Sequence, residues 1–462
     1  MASREALSEN LVTLMEAARQ EYAAYLKSNS LPFTSQHAQM IIIDNEDRNG
    51  WRSDFKDVTQ STADSYLPSW PGLQEELKHR TLDLASDFVS TFTSTLPFWA
   101  NPLGPYQNFL QLSNANPEFK SEPNSWIAQQ ILVPAMAEYL RSLESADTPN
   151  TDLANRIAAE AIDFVGSSKL RTRSSLPVSG IDMESDQLSV GDIVVRALTP
   201  RQRGTLWMQA NSILLPAISR DMLYSTKGAY TLPSHVIQVT TSHPRMLQPQ
   251  PGMYHQAALC AFFLHGYPLA GLGMMTSDTV PTWINWARMG VPIQLSAFPR
   301  GTKELRQDSL NEIWQTLKKL RNYNLDQPSN PRDLSLHRFL LGSIREDQAD
   351  SLLDFTIALE CIFLPYDPST RQAELAYRFR LHGTHYISSS LHERRETWKR
   401  LRDLYDVRSR LVHGSEYPSA AEIAEKVEAA RNLAQTALLK AVRSHFPRVE
   451  ELTAMVLGEG LD

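Results

Sequence analysis

From about residue 336 onward the apolar positions recur at helical spacing. Leu352, Thr356, Leu359 and Phe363 fall at the 4-3-4 intervals that put side chains on one helix face. The pattern predicts four helices, roughly 336–364, 370–389, 391–413 and 419–446, with Pro365 and Pro447 as stops. The last begins at Pro418 and Ser419 followed by Glu422, the spacing of a capping box, in which serine and glutamate satisfy each other's backbone donors. Connections of about two to six residues make neighbouring helices antiparallel, so an all-α up-and-down helical bundle is expected over 335–450. Upstream the pattern is mixed. Helical periodicity occupies 4–28, 73–96, 126–146 and 151–165, whereas AQMIIID, DIVVRAL and SHVIQVTT are short β-branched runs bounded by turn residues. Residues 1–325 therefore predict an α+β region, divisible near 170. Proline usage supports the contrast: 23 of the 27 prolines precede residue 332, and only four lie between Ser335 and Arg448. NYNLDQPSNPRDLS, residues 322–335, is the expected linker.

Composition removes several classes of function. A chain of 462 residues, 42% hydrophobic and 21% charged, has what a globular core needs, and its net charge of −7 gives no whole-protein attraction to polyanions. Cys260 and Cys361 lie about a hundred residues apart with no CxxC, which argues against a disulfide framework or a zinc site. The N-terminus carries acidic residues and reads as an amphipathic helix, not a signal peptide. The apolar run ALCAFFLHGYPLAGLGMM is broken by His265, Gly266 and Pro268, so no membrane partner and a cytoplasmic location are expected. Walker A, GxGxxG, GxSxG and HExxH sequences are all absent. Asp44, Glu46 and Asp47 form an acidic turn, but Arg48 stands where a calcium loop needs an oxygen. His382, His385 and His392 lack a placed third ligand, so no metal is expected. Eight of nine tryptophans, from Trp51 to Trp314, read as core or interface anchors rather than base-stacking platforms.

The third helix of the bundle changes the picture. Trp398, Leu401, Tyr405, Arg408 and Val412 recur at 3-4-3-4, which places an arginine in the stripe that should face the core. A guanidinium keeps its charge, so it must be paired, with Glu360 and Glu374 as partners in reach, or line a wet cleft. His413 follows five positions later, about 140° further round the helix. Gly414 has the look of a left-handed helix stop, which leaves His413 beside free carbonyls, either as a simple cap or as a group that moves protons. Between Arg371 and Arg410 there are ten Lys/Arg against five Asp/Glu, a local basic excess suited to phosphates.

The sequence LYDVRSRLVHG resembles the signature of HEPN domains: an arginine, a polar residue, three further positions and a histidine, here Arg408, Ser409 and His413. It is most similar to the Apea-like subgroup. DFTIALECIFLP resembles the family's first long helix with its buried glutamate, and ELAYRFRLHGTHYI its second, so the similarity spans about 335–450. LPVSGIDMESDQLSVGDIVVRALTP is similar to segments that often precede this domain. Many members carry Asn, Asp or His where Ser409 stands. The resemblance implies a HEPN-like bundle that cleaves RNA without metal or cofactor. His413 would move the proton, Arg408 would stabilise charge on the phosphate, Ser409 would complete the motif, and Arg402 and Arg410 would contact RNA. It further implies pairing of two motifs across a two-fold axis in a homodimer or higher oligomer, tRNA or mRNA as substrate, and a role in bacterial antiviral defence or stress response. The N-terminal region would then answer a viral or cellular trigger. The competing expectation is a non-catalytic HEPN module for dimerisation or RNA binding.

Overall fold

The computed structural model describes residues 3–28, 74–92, 124, 127–143, 145–167, 169–198, 233–244, 251–271, 274–279, 281, 283, 289–292, 301–365, 374–414 and 417–458. The run AQMIIID and the acidic turn at Asp44, Glu46 and Asp47 lie outside them. Among the described residues two hydrophobic cores form, and the border between them falls just after Gly166. The first core joins α1 (Arg4–Ser28), α2 (Glu75–Thr91), a π-helical turn at Ala128–Leu132 that runs into α3 (Val133–Ser142), and α4 (Thr151–Gly166). Leu7, Leu11, Met15, Phe88, Tyr139 and Ile157 form its centre, and Trp283 returns from far along the chain to join it. The Asn150 side chain starts α4 by accepting the Leu153 N–H, which supplies one of the donors that a helix N-terminus leaves open.

The second core begins with a sheet. Its strands are β1 (Lys169–Val178), β2 (Ile181–Asp182), β3 (Gln187–Val190), β4 (Ile193–Ala197) and β5 (His235–Pro244); after helix α5 (Pro251–Leu264) come β6 (Met274–Thr279), β7 (Met289–Pro292) and β8 (Lys303–Glu304), and then α6 (Gln307–Leu320). Six strands pair antiparallel in the order β3-β4-β5-β1-β6-β7, while β2 and β8 form a separate parallel pair. The β-branched runs DIVVRAL and SHVIQVTT are β4 and β5. β1, the longest partner of β5, carries no apolar alternation because two of its core-facing positions are Thr172 and Ser174. The burial of Thr172 is tolerated through hydroxyl pairing, its Oγ1 3.0 Å from Thr241 Oγ1 on β5. On the inner face Leu176, Val178, Ile193, Val195, Ile237 and Val239 pack in the same core as α5, in which every residue from Ala257 to Leu264 is buried. Among the described residues no helix is long and apolar enough to cross a membrane.

Six helices complete the second core: α7 (Pro331–Ile344), α8 (Gln348–Phe363), α9 (Leu375–Ile387), α10 (Leu391–His413), α11 (Ala420–Arg443) and α12 (Val449–Leu457). The single helix expected over 336–364 is two. Arg345 turns to extended conformation at ψ 141°, and Asp347 opens α8 by accepting the Asp350 N–H at 2.8 Å. Buried Asp354 then clasps the hairpin, taking Arg338 at 2.8 Å and Arg345 from α7 and its end. The stretch 322–335 does not separate two cores. Leu325 is fully buried, its carbonyl accepts the His337 ring N–H at 2.6 Å, and Asn330 caps α7. The α+β region and the helical C-terminal region thus share one continuous interior from Leu176 to Leu452. The capping box expected at α11 is half formed: Ser419 accepts the Glu422 N–H, but the Glu422 carboxylate is taken by Arg410.

A polar seam closes the contact between α5, α6 and α11. His265 lies with its Nε2 2.9 Å from Thr316 Oγ1, its carbonyl accepts from Lys303 Nζ at 2.6 Å, and Gln435 of α11 donates to the Phe263 carbonyl at 2.8 Å. Burial, reinforced by Arg443, pushes the His265 ring down to about 4, against an opposing pull from Glu312. The unfolded chain, with an ordinary value near 6.5, therefore binds the proton first. The stability this neutral ring confers should be complete above about pH 6.5 and fall away toward pH 4, by about 1 kcal/mol at pH 5.5. Urea unfolding at pH 7.5 and 5.5 measures it. His265→Gln should flatten that slope, and an unchanged slope would rule out this histidine as its source.

Candidate functional site

Helix α10 is fixed at both ends. At Ser390 the hydroxyl accepts the Glu393 N–H at 3.2 Å and the Glu393 carboxylate accepts the Ser390 N–H at 3.0 Å, a complete capping box. That backbone N–H is the main reason why the Glu393 carboxyl is pulled down to about 2. At the other end Gly414 takes φ 68°, a left-handed conformation that suits glycine, and its N–H bonds the Arg410 carbonyl at 2.9 Å. Between the caps the buried face is Thr397, Leu401, Leu404 and Val407. The expected stripe of Trp398, Leu401, Tyr405, Arg408 and Val412 is therefore rotated. Only Leu401 of it is buried, Trp398, Tyr405 and Arg408 ride half-buried at the edge, and Val412 is 51% exposed. The aromatic rings are too large for the narrow seam against α9, where a Cβ on Gly383 would stand 2.7 Å from a Leu401 methyl and 2.8 Å from the Phe363 ring. They pack along the flank instead, Tyr405 against Phe379 at 5.4 Å and Trp398 edge-on to Tyr377 at 5.8 Å.

Arg408 reaches from that edge toward α8. Its Nε stands 3.5 Å from Glu360 Oε1, with the guanidinium carbon 5.9 Å from the Tyr405 ring centre. The internal ion pair foreseen for Arg408 forms with Glu360; Glu374, the other candidate, is exposed and precedes α9 at φ 66°. The pair is a long one. Arg408 Nε is buried and makes no hydrogen bond, so the contact is electrostatic only. Burial lifts the Glu360 carboxyl above the usual glutamate value, and Arg408 pulls it back part of the way. Burial, assisted by Glu360, also lifts the neighbouring Cys361 to about 11, which keeps that thiol protonated and unsuited to nucleophilic attack at neutral pH.

Arg395, Lys399, Arg402, Asp406, Ser409 and His413 follow one another at 4-3-4-3-4 and so share the outward face of α10. All are exposed except Ser409, which is half-buried one turn before His413. The structure thus brings Ser409 and His413 together on a basic stripe, whereas Arg408 points round the helix to Glu360. Arg402 lies beside Asp403 at 3.0 Å, and Arg410, bound to Glu422 of α11, braces the last turn instead of joining the stripe. Arg395 and Lys399 were not singled out from the sequence. The spacing of charged residues on the solvent side would have found them. His382 and His385 are tethers, their Nδ1 atoms 2.7 Å and 3.2 Å from the carbonyls of Phe363 and Met455, and among the described residues no three metal-binding side chains gather.

No family model, curated protein or solved structure matches the chain.

The Arg408 and Glu360 contact makes a measurable demand. A double-mutant cycle with Arg408→Ala and Glu360→Gln should give a coupling of about 0.5–1 kcal/mol, as for a partly exposed pair. Glu360 binds its proton more tightly folded than unfolded, so the deficit of Arg408→Ala should be present at neutral pH and narrow as pH falls through the raised Glu360 value, above 4.5. A deficit that is constant with pH would mean that Arg408 acts through packing alone.

Proposed function

We propose that the C-terminal helices form a HEPN-type endoribonuclease that cuts RNA without a metal ion, with the α+β region in control of it. The observation that carries this reading is the position of His413: exposed at the end of a basic helix face, one turn from the Ser409 hydroxyl. An imidazole there can take the ribose 2′-OH proton or return one to the leaving 5′-oxygen. Arg395, Lys399 and Arg402 would track the phosphates along the same face. Arg408 supplies the remaining need, a cation for charge that develops on the scissile phosphate, and Glu360 acts as its positioning residue.

Arg408 and His413 diverge on their helix, and a two-fold pair of α10 helices resolves this, with Arg408 of one copy serving His413 of the other. Val412 and Tyr417, exposed at 51% and 67% and on either side of His413 in the sequence, would be covered in such a dimer. tRNA or mRNA is the substrate class under this reading, and antiviral defence or stress response its setting. One observation favours the alternative of a non-catalytic RNA-binding or dimerisation module: Arg408 already has an ion-pair partner within its own chain.

Purified protein incubated with total RNA in EDTA separates the two. Cleavage should leave 5′-hydroxyl and 2′,3′-cyclic phosphate ends, and Arg408→Ala and His413→Ala should each lower the rate by about 10²–10⁴ with folding intact. Retained RNA binding without any cleavage by the wild-type protein would establish the module instead. Mixing wild type with excess double variant, after verified subunit exchange, should lower activity faster than the wild-type fraction if each cleft draws on two chains.

A further inference from the structure

A charged concavity with no residue of α10 in its lining lies where the first core meets the outer face of the sheet. It encloses about 700 Å³ and is walled by Arg156, Glu160 and Asp163 of α4, Glu138 of α3, Arg4 at the start of α1, and Lys169, Arg171 and Arg173 of β1. Strand alternation puts those last three side chains on one side of β1, in steps of about 6.8 Å, while Thr172 and Ser174 turn to the core. Arg156, Lys169, Arg171 and Arg173 make no ion pair among the described residues. Of the carboxylates, Asp163 is engaged by Arg4 at 3.8 Å and Glu160 accepts the Trp283 indole N–H at 2.7 Å. Positive charge is crowded here: Arg196 on β4 is pushed below the ordinary arginine value by burial and then by Arg173. Arg173, half-buried and with no ion pair among the described residues, is a standing cost unless a ligand offsets it.

We infer that this cavity binds a nucleoside polyphosphate. Its volume is that of a small-molecule pocket. Three cations at strand spacing can straddle a di- or triphosphate, and the fork of an arginine matches phosphate oxygens better than an ammonium does. The carboxylates at the far wall supply what a phosphate chain alone would not use, acceptors for ribose hydroxyls and base N–H groups. A continuous RNA backbone fits less well, because Glu138, Glu160 and Asp163 would face it along its path. The inference stands apart from the ribonuclease reading: the cavity can bind a nucleotide whether or not the bundle cuts RNA.

Isothermal titration with ATP, GTP, adenosine and a twelve-nucleotide single-stranded RNA tests it on the full chain. ATP or GTP should bind and adenosine should not. Arg171→Ala/Arg173→Ala should weaken binding at least about tenfold, the loss of one charge-assisted hydrogen bond or more. The remote Lys318→Ala/Lys426→Ala should bind as wild type. Should the double variant fail to fold, Arg171→Glu, at an exposed position, carries the same expectation. The proposal fails if neither nucleotide binds, if adenosine binds as tightly as ATP and GTP, or if the β1 variants bind like the parent. It fails equally if the RNA binds through Arg171 and Arg173 while ATP and GTP do not.

Discussion

Burial of α5 on every side is the constraint on which the rest of the second core depends. Eight consecutive residues, Ala257 to Leu264, are shielded, so this helix has no polar face over that stretch to offer solvent. It meets β1 and β5 on one side and α6, α7 and α11 on the others. Each large side chain in it, Leu259, Phe262, Phe263 and Leu264, contributes about 1.5–3 kcal/mol by leaving water. Loss of either the sheet or the helical layer would strip several of these contributions at once, a large share of the roughly 5–15 kcal/mol that holds a domain folded. Sheet and bundle are for this reason one interior, although the proline distribution divides them.

What could be read from the sequence follows from which residues do the packing. Helix α10 was legible from end to end because its stops are local: a serine cap at one end, a glycine in left-handed conformation at the other. The break between α7 and α8 was not, since Leu352 resumes the stripe eight positions after Ile344, in helical phase, so the polar run of residues 345–351 reads as two turns of one helix; the local signal is Asp347 three residues before Asp350. β1 was hidden for the opposite reason. Its core face carries Thr172 and Ser174 before Leu176 and Val178, so the period-two alternation of apolar residues is cut to its last two positions. The sequence also predicted an arginine among core positions of α10. The true face is turned toward Leu404 and Val407, which leaves Arg408 at the edge, where charge is easier to keep.

That edge position decides what Arg408 can do. In the centre of the seam a guanidinium would need a full set of hydrogen bonds. At the flank, a single half-buried glutamate at 3.5 Å holds it in place and leaves its Nε without a hydrogen bond. Glu360 itself is the more strained partner, since burial disfavours its charge and only Arg408 opposes that. An anion arriving at Arg408 would compete with Glu360 for the guanidinium, and loss of that partner would leave burial unopposed in raising the Glu360 carboxyl.

The cationic cavity and the outward face of α10 lie at different parts of the chain, yet one helix touches the elements leading to both. Along α11, Gln435 donates to the Phe263 carbonyl at the end of α5, and Glu422 holds Arg410 in the last turn of α10, the turn that carries His413. Thirteen residues of helix between those contacts make a rod about 20 Å long. β1 bears the cations on its outer side and, through Leu176 and Val178, packs into the same core as α5. β1, α5, α11 and the last turn of α10 thus form one continuous run of packed and hydrogen-bonded contacts, with a helix instead of a loop as its final link.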